Sequence, residues 1–71
     1  MQYRFEYGEI EGETYLVLVN HGQEWYSSES LCRMEIDSTI RSICDAGQGT
    51  NIWWKIYNEN GNVVQQGNKQ C

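Results

Sequence analysis

The sequence predicts an α+β domain: a single antiparallel sheet of about five strands, in the order βββ-α-ββ, with one helix packed on one face. Three observations carry this expectation. Two β-favouring runs flank Asn60-Gly61, a dipeptide suited to a two-residue hairpin turn because both central positions need φ > 0. Gln2 to Tyr7 alternates strictly, with Tyr3, Phe5 and Tyr7 on one side and Gln2, Arg4 and Glu6 on the other, which is the period of a half-buried strand. Between these segments, Ser27 to Gly47 places Cys32, Ile36, Ile40, Ile43 and Cys44 at helical spacing.

In chain order, Gly8 to Glu13 reads as a turn centred on Glu11-Gly12. It leads into the aliphatic run Thr14 to Val19 and sets Tyr7 opposite Leu16 and Phe5 opposite Leu18, the first half of a core. His21-Gly22 is a second turn candidate, after which Trp25 would face Leu18 and Tyr26 would face Val17 in a three-stranded meander. The helix has serines at its start, Glu29 in the first turn, an Asp37/Arg41 pair at i,i+4 and Gly47 as a stop. A rival all-β reading makes residues 31–36 a strand, since Cys32, Met34 and Ile36 alternate with Arg33, Glu35 and Asp37. Leu31 and Met34 lie off the helical stripe. After a loop over Ala46 to Asn51, the last hairpin pairs Glu59 with Asn62, Tyr57 with Val64 and Ile56 with Gln65. That register puts Ile52, Trp54, Ile56 and Val63 on a core face, and Trp53, Lys55, Tyr57 and Val64 on the other. Asn68 to Cys71 reads as a frayed end.

At 71 residues the chain is expected to be one small domain, 1–71, in which a staple would help a limited core, although none is evident. Ten acidic residues against five basic ones give a net charge of -5. Such a surface repels phosphate backbones, so direct nucleic-acid binding is not expected and basic proteins are the favoured partners. Met1 runs into a strand pattern with no signal-peptide features, and no apolar run reaches the ~20 residues needed to span a bilayer. The expected setting is the cytoplasm, of its own cell or of a host, with no membrane partner. Three cysteines without a C-x-x-C are expected to be reduced thiols. On one continuous helix Cys32 and Cys44 would be separated by roughly 18 Å of rise, so they should not bridge each other.

Enzymatic chemistry is not expected. His21 is the only histidine and sits in a turn, and no nucleophile-elbow, zincin or phosphate-loop motif occurs. Gly47-Gln48-Gly49 lacks the context of a dinucleotide site. His21, Cys32, Cys44 and Cys71 lack metal-site spacing, so no metal and no cofactor is expected. Glu9, Glu11 and Glu13 have nothing apolar around them to raise a pKa; with Glu6, and joined by Glu24 on the neighbouring strand, they read instead as an acidic prong for a basic groove. Tyr15, Val17, Val19 and Tyr26 are expected to join Trp53, Lys55, Tyr57 and Val64 in a patch on the face away from the helix. The expected function is a non-enzymatic protein-binding module that inhibits a basic, nucleic-acid-handling partner. Size, acidity and plan suit the category of phage and mobile-element anti-defence proteins, anti-CRISPR proteins among them, although no motif carries that expectation. The alternatives are a structural or regulatory homodimer, or a binder that stacks a sugar or base on Trp53 and Tyr57.

Overall fold

A computed structural model describes residues 1–19, 24–47 and 51–71. Strand β1 (Tyr3–Glu11) and strand β2 (Thr14–Val19) precede helix α1 (Glu29–Asp45), which is followed by β3 (Asn51–Asn58) and β4 (Val63–Gln70). The antiparallel sheet has the order β2-β1-β3-β4, so the fold is α+β with four strands rather than five. The fifth was expected at Trp25-Tyr26. Tyr26 instead makes a two-hydrogen-bond bridge with Tyr3 of β1 (2.7 and 2.9 Å) and does not pair with Val17. Because β3 holds the other edge of β1 over these residues, Tyr26 continues along the same edge that β2 occupies further on. The His21-Gly22 turn lies outside the described residues.

Both hairpins depart from the expected registers for reasons of turn chemistry. β1 and β2 pair Glu11 with Thr14 and Glu9 with Leu16, so the turn is Gly12-Glu13 and not Glu11-Gly12. Gly12 takes φ 61°, which suits glycine at the first central position of a II′ turn. The two-residue shift preserves the faces. A bulge then leaves Leu18 as the extra residue between the pairs Tyr7–Val19 and Gly8–Val17. In the second hairpin Ile56 faces Gln65 as expected, but Tyr57 faces Val63. No non-glycine residue among those described has positive φ, so Asn60 does not supply the first half of a I′ turn. Glu59, Asn60 and Gly61 form a three-residue loop in which Gly61 (φ 84°) donates to the Asn58 carbonyl at 3.0 Å. The Asn58 side chain accepts from the N–H groups of Asn60 and Asn62 at 2.9 and 3.0 Å. A bulge at Val63-Val64 restores the original register.

α1 forms where its cap and stripe agree, and this overturns a strand at residues 31–36. Ser28 is the N-cap, its hydroxyl accepting from the Leu31 N–H at 3.1 Å, and Gly47 (φ 70°) ends the helix. The i,i+4 pair is Arg33–Asp37 (3.1 Å) and not Asp37/Arg41. Cys32, Ile36 and Ile40 are buried against Ile52, Trp54 and Ile56 of β3, with Tyr3, Phe5, Tyr7, Tyr26, Ile43 and Cys44 around them. Leu31 and Met34 face outward. Three residues expected in the core are not there: Leu16, Leu18 and Val63 are 39%, 49% and 44% exposed. Leu16 lies on β2, beyond the reach of α1 over β1 and β3; Leu18 is the extra residue of its bulge; and Val63, paired with Tyr57, falls on the face away from the helix.

The thiols are not all reduced. Cys44, in the last turn of α1, forms a disulfide with Cys71, with Cα atoms 5.3 Å apart. Asn68 to Gln70 belong to β4 and the chain beyond is pinned, not frayed. At the other end of the helix, Gln65 of β4 donates to Glu29 at 2.5 Å. The helix is thus tied to β4 at both ends. Cys32 is the free thiol, buried and unbridged to Cys44.

Candidate functional site

Cross-strand pairing places Arg4, Glu6, Gly8 and Ile10 of β1 on the face away from α1. Trp53, Lys55 and Tyr57 of β3 share that face, as do Tyr15 and Val17 of β2. Trp53, Lys55, Tyr57 and Tyr15 are therefore brought together as expected. Trp53, however, is only 5% exposed, although no second layer covers it. The local cause is Gly8, directly across from it on β1. The Leu16 carbonyl tips over Gly8, so that a Cβ there would lie 1.6 Å from its oxygen and 2.9 Å from Trp53 Nε1. The indole reaches into this gap, and its Nε1–H donates to the Leu16 oxygen at 3.1 Å. Tyr15 closes one side with ring centroids 6.3 Å apart, and Lys55 Nζ sits 5.8 Å from the indole centroid.

The rest of this face is a series of paired charges and rings. The Tyr57 hydroxyl donates to Glu6 at 3.0 Å. Its pKa is raised, first by burial and then by the hydrogen bond to and charge of Glu6. Arg4 lies against Trp25, with the guanidinium carbon 3.9 Å from the ring centroid, while its buried Nε has no hydrogen-bond partner among the described residues. Arg4, Gly8 and Trp25 were missed as site residues, whereas Glu6, counted from sequence with the acidic prong, is the hydrogen-bond partner of Tyr57. The polar side of the Gln2 to Tyr7 alternation is the signal that could have found Arg4.

Tyr26 does not join the patch. It packs on the core side with its ring centroid 5.8 Å from that of Phe5, and its hydroxyl donates to Glu24 at 3.3 Å. Burial, then the nearby Glu24 carboxylate, pushes its phenol up to about 12. Of the acidic prong, Glu11 and Glu13 stand exposed at the hairpin tip, while Glu9 is half-buried on the helix side, paired with Ile52 and Leu16. Glu9 and Glu11 share the helix-side parity of β1, while Glu13 lies in the turn. Val64 is 37% exposed beside the bulge. The Cys44–Cys71 bond removes two members of the metal set considered from sequence, and His21 lies outside the described residues.

β2 is what this side of the molecule leaves open. It is an edge strand of six residues, Thr-Tyr-Leu-Val-Leu-Val, with no charge. Tyr15, Leu16, Val17 and Leu18 are 60%, 39%, 55% and 49% exposed, and among the described residues no strand pairs with its outer edge. Trp25, 41% exposed, extends the apolar surface. Comparison with protein families, curated proteins and solved structures finds no match.

Proposed function

We propose that this chain is a non-enzymatic protein-binding module that accepts a strand of its partner along β2. The observation that carries this reading is that a β-favouring, uncharged edge strand exposes side chains on both faces and, among the described residues, has no strand paired along its outer edge. Strand addition to such an edge supplies main-chain hydrogen bonds for affinity and side-chain contacts on alternate residues for specificity. Glu11 and Glu13 at the tip beside β2, together with a net charge of -5, favour a partner whose docking strand is flanked by basic residues. Inhibition of a nucleic-acid-handling protein is the finer form of this proposal, since such proteins expose basic segments. Stacking of a sugar or base on Trp53 is disfavoured, because at 5% exposure its ring has no free face.

One observation favours a homodimer as the second reading. Antiparallel pairing of β2 with its own copy about Leu16-Val17 would bring no charges into register and would set the two Glu13 residues roughly 24 Å apart along the strands. The cytoplasmic setting expected from sequence is set against the Cys44–Cys71 bridge, which favours an oxidising one.

The test is capture from a lysate of the source organism, read by mass spectrometry, on wild type, Val17→Lys and Glu11→Lys/Glu13→Lys, with mass measured against concentration. A partner lost with Val17→Lys, whose salt dependence flattens in the double variant, supports the proposal. Mass that doubles with concentration and is blocked by Val17→Lys supports the dimer. A monomer whose captured proteins are indifferent to Val17→Lys refutes strand addition.

A further inference from the structure

At the edge of the sheet remote from β2, a groove of about 530 Å³ runs between α1 and β4. Arg33, Arg41 and Lys69 line it, three of the five basic residues in the chain, with Asp37 the one acidic residue among its lining. This local excess of positive charge stands in a protein of net charge -5. Trp54 forms the floor, leaning onto β4 where Gly67 leaves room; a Cβ at Gly67 would lie 2.8 Å from the indole. Arg33 lies over that indole, its guanidinium carbon 4.1 Å from the centroid, and Asp37 holds its Nε at 3.1 Å. The guanidinium is fixed in place before any ligand arrives. Arg41 and Lys69 make no ion pair or side-chain hydrogen bond among the described residues. The Cys44–Cys71 bridge closes the end of the groove and anchors β4 two residues beyond Lys69.

We propose that this groove is a binding site for a small, multiply charged oxyanion. Cations that repel one another and face a cavity of ligand size are stabilised by an anion that spans them, and a pre-oriented arginine is suited to two-pronged recognition of phosphate or carboxylate. The general field of the protein opposes such a ligand, so recognition has to be local and sensitive to salt. The site is independent of the protein-binding reading, since it lies at the other edge of the sheet.

Isothermal titration of the oxidised protein at low ionic strength, with inorganic pyrophosphate and separately with citrate, tests this. Binding of at least one probe is expected, and the preferred probe tells a phosphate ligand from a carboxylate one. Arg41→Gln and Lys69→Gln should each weaken binding by about tenfold, with melting temperatures confirming that both variants fold. Asn60→Asp, which changes net charge equally at the distant hairpin tip, should leave it unaltered. Absence of binding for both probes overturns the proposal, as does an equal loss in Asn60→Asp, which would mark a response to overall charge alone.

Discussion

Strand alternation alone predicts that Trp53 can be truncated without harm to the fold, and the structure reverses that expectation. The indole is buried, hydrogen-bonded to Leu16 and seated over Gly8. A chain of 71 residues should have a total stability of about 4–11 kcal/mol. Removing a buried tryptophan costs about 3–5 kcal/mol, and the low end applies here because water can enter the gap from the open face. Trp53→Ala should therefore lower the melting temperature by roughly 12–24 °C. Gly8→Ala is the sharper test, because nothing on the exposed surface changes. Its Cβ would lie 1.6 Å from a backbone oxygen, a clash that no side-chain rotation relieves, so β2 must move off β1. Overpacking of about 1–3 kcal/mol and loss of the Trp53–Leu16 hydrogen bond, about 1 kcal/mol, should combine to about 2–4 kcal/mol. In a Trp53→Phe background the hydrogen bond is already gone, so the same substitution should cost about 1 kcal/mol less. Urea unfolding of the four proteins in the cycle measures this. A Gly8→Ala change within about 0.5 kcal/mol of neutral, or full additivity with Trp53→Phe, would refute the seating of the indole on Gly8.

The remaining predictions concern the bridge and the tyrosines. Cys71→Ser, or reduction, opens a loop spanning 27 residues, for which chain entropy gives a loss of about 3.5 kcal/mol; calorimetry with and without reductant should show it, and an unchanged melt would argue against the bridge. Cys32 cannot substitute, since it is buried and its thiol is pushed up to about 11, by burial first and then by Glu29. In alkali, the raised Tyr26 pKa favours the protonated phenol in the folded state. That stability is fully present below the unfolded value of about 10 and is lost as pH rises toward about 12. The urea midpoint should therefore fall across this window, and Tyr26→Phe should flatten the fall; an unaltered slope would assign it to Tyr7 and Tyr57, whose pKa values are also raised by burial.

What the sequence disclosed was local. The helix was legible because its cap, stripe and stop lie within one segment, and the faces of β1 and β3 were legible because a strand's period needs no knowledge of its neighbours. The hairpin errors came from turn chemistry: Gly12 takes the first central position, and Asn60 does not adopt the positive φ that a I′ turn demands. Tyr26 and Trp53 failed differently. Parity assigns a residue to a face but not what lies over it, and Trp53 is covered by its own sheet. Gly8, read from sequence as the start of a turn, lies within β1, and an isolated glycine inside a strand is the signal of a close approach. Helix geometry correctly separated Cys32 from Cys44, but it held no information about Cys71, whose approach depends on how β4 ends against the last turn of α1.

The two edges of the sheet have been treated in opposite ways, and that contrast bears on function more than the exposure of either edge alone. β4 carries the features that keep edge strands from pairing: a bulge at Val63-Val64, Gly67 within it, Lys69 near its end, and glutamine or asparagine at most other positions. It is also held to α1 through Gln65 and Cys71. β2 has a bulge at Leu18 but no glycine, lysine or other charged residue within the strand, and no helix over it among the described residues. Solubility applies to both edges equally, so it would protect both. An edge left apolar beside one that is guarded is therefore best explained by an occupant. If that occupant is a partner strand, introducing β4's device into β2, as Val17→Lys does, should abolish association while leaving the melting temperature nearly unchanged, because Val17 is already 55% exposed. If instead Val17→Lys raised solubility and altered no interaction, β2 would be an unprotected edge and nothing more.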